Sequence, residues 1–447
     1  MTPEQIVAAC RDADVRLVRF LYCDNGAIVR GKAVHVDRLA ERLRTGIGLT
    51  VAMQAMNSLD QLQPVEGMGP VGEVRLVPDL DTFALTPYAP GTAVLLVDMV
   101  DLDRRPYSAC PRGFLGRMAS RLGQRGWELR AAVENEFSLA RPGDDGPVPI
   151  DRSLCFSTVG MTAAHEVADA IAGALGTQGI QIEQYYPELG HGQQELSVAP
   201  RPVVAAADTQ VLVRETIRAV TTGFGLTASL APKPWPDVAG NGAHIHFSLW
   251  EGDRNAFYDP AGRFGLSELA VRFTAGILAH LPGLLGLTAP SVNSYQRLLP
   301  QHWSSAFTCW GPDNREAAVR VPSTFWDAEQ ASTNLEFKPT DASSNPYLAF
   351  GGLIAAGLDG IDRELEPPEP LLVDPATLND QERARAGVER YPQAALEALD
   401  LLGKDDVLLE ALGEPLARSY LAVRRSEAEA YAALGPNAQY AGHFDKY

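Results

Sequence analysis

Two segments near the middle of the chain, AAVENEFSLA and GAHIHFSLW, constrain its fold more than any other feature. Each carries two ionisable side chains two residues apart in otherwise apolar sequence: Glu134 and Glu136 in the first, His244 and His246 in the second. On a strand, alternate residues share one face. The two segments therefore predict strands that carry carboxylates and imidazoles on one face. Two carboxylates so close repel, and burying them bare raises at least one pKa. Mg²⁺ or Mn²⁺ relieves that repulsion, because hard divalent cations favour oxygen ligands. Alternate acids also occur on ordinary solvated strand faces, so the pairs alone do not decide between the two readings.

The rest of the chain interleaves short strand-like runs with amphipathic helices. A helix over Pro3 to Ala13 precedes the run VRLVRFLY, an Asp24-Asn25-Gly26 turn and the run AIVRGKAVHV. Asn-Gly between two such runs predicts a hairpin. VRLVP and TAVLLVDMV follow within residues 74–101, and PYSACP at 106–111 marks a boundary. Beyond it, helices are predicted over RGFLGRMASRLGQRG, HEVADAIAGALGTQG and VAAADTQVLVRETIRAVTTGFG, and strands over QIEQYYPELG, QQELSVA and NLEFKP. From about Pro367 the pattern is helical. Many short strands mixed with helices predict an α+β fold with a mainly antiparallel sheet.

The net charge of −18 argues against polyanionic partners, so neither nucleic acid nor an anionic membrane is expected. Five cysteines (Cys10, Cys23, Cys110, Cys155, Cys309) form no CxxC pair, which suits a reducing compartment. The first residues mix acids with apolar side chains and are not read as a signal peptide. The longest apolar run, Phe273 to Pro290, contains His280 and Pro282 and is read as too short and too broken to span a bilayer. A cytoplasmic location is expected.

Further candidates lie in short motifs. Glu188 and Glu195 flank a Gly-rich turn in PELGHGQQEL, and Glu336 stands beside Lys338 in NLEFKP. Arg297 lies in VNSYQRLLP, and Arg315 and Arg320 in DNREAAVRVP. Arginine grips carboxylate and phosphoryl oxygens bidentately. Gly240 and Gly242 let backbone N–H groups approach a ligand. With 56 acidic residues, any one pairing has an ordinary explanation. Together, carboxylates and a histidine on strands, three arginines and a Gly turn, without a Walker motif or nucleophile elbow, describe a metal-bridged phosphoryl-transfer site.

The order and wording of ENEF, PELGHGQQEL, KPWPDVAGNGAHIHFSL, SVNSYQRLLP, DNREAAVRVP and NLEFKPTDASSNPYLAF resemble the glutamine synthetase family over nearly the whole chain. The resemblance implies an N-terminal β-grasp domain at residues 1–105 and, at 106–447, a catalytic domain with a mainly antiparallel curved sheet and helices. It implies ATP and two or three Mg²⁺ or Mn²⁺ ions per site. It also implies a homo-oligomer, commonly a dodecamer of two hexameric rings, with active sites between adjacent subunits. Carried onto matching positions, Glu136, Glu188 and Glu195 hold one metal, and Glu134, His244 and Glu336 the second. His246 and Arg320 contact ATP phosphates, with Ser248 nearby; Lys338 stands where the family usually has Arg. Gly240 approaches the glutamate backbone, while Arg297 and Arg315 meet its carboxylates or the transferred phosphoryl group.

Three positions depart from glutamine synthetases proper, all in the pocket that receives ammonium. Trp303, in LPQHWSS, occupies the place of a flap Glu; GLTVAMQAMNSLDQ contains no DGSS-like segment; and Cys155, in SLCFST, stands where a Tyr is usual. Binding ammonium requires polar and negative groups to replace its water. A Trp instead covers an alkyl chain or ring, or faces a substituted ammonium. The expected co-substrate with glutamate is therefore a larger amine: a polyamine, ethanolamine, an alkylamine or an arylamine. Without the flap Glu, Glu188 and His302 are the candidate proton acceptors. The competing readings are an authentic glutamine synthetase using ammonia and a non-catalytic relative. The C-terminal segment VERYPQAALEALDLL does not match the Tyr-containing loop that some bacterial members adenylylate, so that regulation is not expected.

Overall fold

Local signals set the first elements. Thr2 and Gln5 exchange side chain–backbone hydrogen bonds in a capping box that starts helix α1 (Pro3–Asp12). Strands β1 (Leu17–Cys23) and β2 (Val29–His35) then pair antiparallel as the expected hairpin. The connection differs from a two-residue Asn-Gly turn. It spans the five residues between Cys23 and Val29, and Ala27 rather than Gly26 takes the left-handed conformation, with φ 62°. Tertiary bonds account for this: Asn25 is buried, and its amide donates to Gln54 O at 2.8 Å and to Ser419 Oγ at 3.1 Å.

The structure, a computed structural model, describes all 447 residues. The first sheet adds β3 (Ile47–Thr50), β4 (Glu73–Pro78), β5 (Ala84–Leu85) and β6 (Thr92–Val100), in the order β2-β1-β6-β4-β3 with β5 on β6. Its β1–β6 pair is parallel, and a core including Ile6, Phe20, Leu39, Leu76 and Leu95 packs α1 and α2 (Val36–Thr45) against it. This is the β-grasp arrangement.

Beyond α3 (Pro111–Gly123), a second and larger sheet is built around β7 (Glu128–Arg141), with β8 (Ile182–Pro187), β9 (Gln193–Val198), β10 (Ala243–Glu251), β11 (Phe307–Pro312), β12 (Ala317–Val321) and β13 (Leu335–Phe337). They run in the order β11-β12-β13-β10-β7-β9-β8 and form a curled sheet that is antiparallel except at β11–β12. The side chains of β7 alternate as expected. Leu129, Ala131, Val133, Asn135 and Phe137 are buried, while Ala132, Glu134 and Glu136 turn to the other, half-open face.

Helices α4 (Val203–Gly223), α5 (Glu268–Thr288) and α6 (Pro346–Asp362) contribute to the main core. Here the reading of the apolar run 273–290 needs correction. Pro282 does not break it: α5 is one 21-residue helix, long and apolar enough to cross a membrane by length and composition. It is instead mostly buried within the fold. Its Gly276 lies so close to Gly360 of α6 that an added Cβ would meet Ala356 O at 2.1 Å.

Candidate active site

The register of the large sheet decides which polar side chains meet. Glu134 of β7 lies opposite His244 of β10, Glu136 opposite Glu195 of β9, and His246 opposite Glu336 of β13. Of the two expected metal sets, the second thus has its members together: ligand atoms of Glu134, His244 and Glu336 all lie within 4.8 Å of one another. His244 Nδ1 stands 3.6 Å from Glu134, 3.7 Å from Glu136 and 3.5 Å from Glu336. Glu188 sits one residue beyond the end of β8, in the turn, and accepts a hydrogen bond from the Cys155 thiol at 3.6 Å.

The electrostatics of this cage favour a cation. Burial, followed by Glu134 and Glu136, pushes the Glu195 carboxyl up to about 10. Burial and Glu136 also raise Glu188. Four carboxylates facing one another are stable together only with added positive charge. Oxygen donors with one imidazole suit Mg²⁺ or Mn²⁺. His244 Nε2, buried and without a hydrogen-bond partner, shows that this ring is not satisfied by protein groups alone. The residues present fit a divalent metal.

At the other end the balance reverses. Burial opposes charge on His246, but Glu134 at 3.1 Å outweighs it and pushes this imidazole up to about 9. Glu336 is also penalised by burial, yet Lys338 at 3.4 Å, His246 and Arg320 at 2.7 Å hold it at about 2. The cluster of His246, Arg320 and Lys338 is cationic, and it is the part of the site suited to phosphate oxygens. Ser248 shares the strand face with His246, and its Oγ accepts from Trp250 at 2.9 Å.

Arg297 is buried, and its Nη2 donates to Thr340 O at 2.9 Å. Gly240 must be glycine, since an added Cβ would lie 2.2 Å from Pro232 O and 2.7 Å from Arg297 Cγ. Arg315 lies exposed in the turn between β11 and β12 and makes no ion pair within the chain. His302 and Trp303 stand on an exposed loop, Trp303 being 55% exposed.

The chain matches two glutamine synthetase profiles, the catalytic-domain profile over residues 108–439 and the N-terminal-domain profile over residues 1–107. The chain belongs to the glutamine synthetase family. Among its relatives, the gamma-glutamylpolyamine synthetase GlnA3 of Streptomyces coelicolor is 38% identical over 95% of this chain and 92% of its own. A glutamine synthetase of Thermotoga maritima is 32% identical over 94% of each. A crystal structure described as a novel glutamine synthase homolog is 35% identical, with a TM-score of 0.87 over 97% of this chain and 99% of that one. A GmaS/ADP complex is 26% identical, with a TM-score of 0.86 over 98% and 99%. Family membership makes this chain a ligase of a class that uses ATP and divalent metals.

Sequence reasoning missed several residues that shape the site. Gln193 Nε2 lies 2.9 Å from Glu136 Oε2, 2.8 Å from Gly240 O and 3.1 Å from Asn241 Oδ1. Tyr186 OH donates to Glu195, and Asn334 Oδ1 lies 2.8 Å from His246 Nδ1. Gln193 was within reach, being two residues before Glu195 on the same strand. Asn334 offers the same spacing, two residues before Glu336, whereas Glu316 carries no such signal, because only the tertiary fold brings it to its partners.

Proposed function

We propose that the chain joins glutamate to an organic amine, forming a γ-glutamyl amide at the expense of ATP. The observation that carries this reading is the 299–305 loop, which has no acidic side chain and carries Trp303 where the family resemblance implies a flap Glu. The nearby Glu316 is no substitute, since its oxygens accept backbone N–H groups of that loop. The relationship to a gamma-glutamylpolyamine synthetase supports an amine with more than one nitrogen. The relationship to proteins named glutamine synthetase favours ammonia as the second reading.

In this reading Glu136, Glu188 and Glu195 hold one divalent ion and Glu134, His244 and Glu336 another, and the ions supply charge neutralisation for the transferred phosphoryl group. The chain's own groups do the rest. His246, Arg320 and Lys338 orient the ATP phosphates, with Ser248 beside them. Gly240, Arg297 and Arg315 position glutamate so that its side-chain carboxylate faces the γ-phosphoryl group. The acyl phosphate so formed is attacked by the amine once its proton has passed to Glu188 or His302, and phosphate leaves. Residues 1–105 and 106–447 act as two domains of a cytoplasmic homo-oligomer, a dodecamer of two rings with sites between subunits.

Phosphate release from ATP, glutamate and Mg²⁺ tests the reading across ammonium, putrescine, spermidine, ethanolamine, methylamine and aniline. Turnover with an organic amine and little with ammonium is expected. Ammonium as the best substrate returns the chain to glutamine synthesis, and silence throughout contradicts both readings.

A further inference from the structure

Between Arg297 and β11 the backbone follows an uncommon course. Gln301, Trp303 and Ser305 have φ of 60°, 54° and 68°. Residues other than glycine hold this left-handed conformation only where the surroundings enforce it. Here the enforcing group is Glu316, which is only 6% exposed. One oxygen accepts the N–H of Trp303 at 2.7 Å and the other the N–H of Gln301 at 3.2 Å. Glu316 forms no ion pair, so its charge is spent on the backbone of this one loop. The base of the loop is tied separately. Ser304 Oγ donates to Arg297 O at 2.8 Å, and Ser305 Oγ pairs with Tyr391 OH at 2.5 Å.

Glu316 is itself held in place. Its N–H donates to Asn314 Oδ1 at 3.1 Å, and the Asn314 amide donates to Leu371 O at 2.9 Å. The same turn carries Arg315, so one short segment ties an arginine of the glutamate site to the loop that bears Trp303. The two oxygens of Glu316 accept amide protons inside the fold, where the side chain is buried.

We infer that Glu316 is a positioning residue for amine selectivity: its carboxylate clamps residues 301–303 so that Trp303 covers the amine site as a fixed lid. This inference rests on the amine-ligase reading. It adds that the lid is preset by a buried carboxylate, and that releasing it lets water reach the acyl phosphate in place of the amine.

The test is Glu316→Gln, alone and combined with Trp303→Ala. The glutamine can accept only one of the two N–H groups and sets its own amide against the other. Loss of a hydrogen bond to a charged acceptor predicts a roughly tenfold rise in the KM for the amine. Phosphate release without amide should increase, while the KM values for ATP and glutamate stay unchanged. In the Trp303→Ala background, Glu316→Gln should have no further effect on the amine KM, because the two act through one lid. Equal losses for all three substrates, or additive effects in the double variant, overturn the assignment. Hydrogen exchange of the 299–306 segment reads the clamp independently of catalysis. It should accelerate in Glu316→Gln with the rest of the chain unaltered, and unchanged exchange refutes the clamp. Wild-type enzyme that makes no amide from any amine refutes the ligase reading and the selectivity role with it, whatever the exchange shows about the loop.

Discussion

Gln193 aligns the candidate site without carrying any charge. Its single amide reaches Glu136, the Gly240 carbonyl and Asn241, so one side chain sets both a carboxylate proposed to hold metal and the glycine turn. Partners of this kind, behind the ligands, are worth roughly 10–100-fold in metal affinity. Gln193→Leu should weaken Mn²⁺ binding by that factor in a titration and, because it strands buried hydrogen-bond partners, also cost roughly 1–3 kcal/mol of stability; equal affinity would show that Glu136 needs no such support. The charged residues of the cage were legible in the sequence because i and i+2 on a strand share a face, as Glu134 with Glu136 and His244 with His246 do. Gln193 obeys the same periodicity with Glu195 but was passed over, since a neutral amide does not suggest a metal. Trp303 and Cys155 were visible only against the family pattern.

At the scale of elements, α5 is held partly by an ionisable clasp. His280 lies 2.8 Å from Asp405 and 2.9 Å from Asp359, and Arg363 also reaches Asp359 at 3.0 Å. Burial works against charge on the imidazole, but its hydrogen bonds to Asp405 and Asp359 outweigh it and raise the pKa above 6.5. A raised histidine pKa stabilises the fold fully below the unfolded value and loses that contribution as pH rises through the folded one. The melting-temperature advantage of wild type over His280→Gln should therefore be largest below pH 6.5 and shrink as the pH rises above it. An advantage that grows with pH would contradict the clasp. Element type was readable from periodicity in the strands and in α1, α3 and α4. The hairpin expected at Asn25-Gly26 forms, with its turn fixed by tertiary bonds; at Pro282, where the run was read as broken, packing in the core carries the helix through. Asn25 bonds to Gln54 and Ser419, and α5 continues through its proline within the core.

For the whole molecule, Arg112 of α3 ties the first sheet to helix α4. Its guanidinium binds Asp208 of α4 through Nε and Nη2, both at 2.9 Å. It also reaches Asp98 of β6 at 2.8 Å and Asp79, just beyond β4, at 2.6 Å. Asp208 is buried while Asp98 and Asp79 are partly exposed, so removing the cation strands mainly the Asp208 carboxylate. Breaking a fully buried pair costs on the order of 3–5 kcal/mol, and solvent at the other two carboxylates reduces that here. Arg112→Met should lower the denaturation midpoint accordingly; an unchanged midpoint would show that the junction rests on apolar packing alone. With fold and cage fixed at this scale, the central claim concerns what enters beneath Trp303. The most direct measurement is a competition: glutamate, ATP and Mg²⁺ with equal ammonium and spermidine in one reaction, the products identified by mass. The proposed function predicts γ-glutamylspermidine as the main product with little glutamine, whereas glutamine as the main product would contradict it.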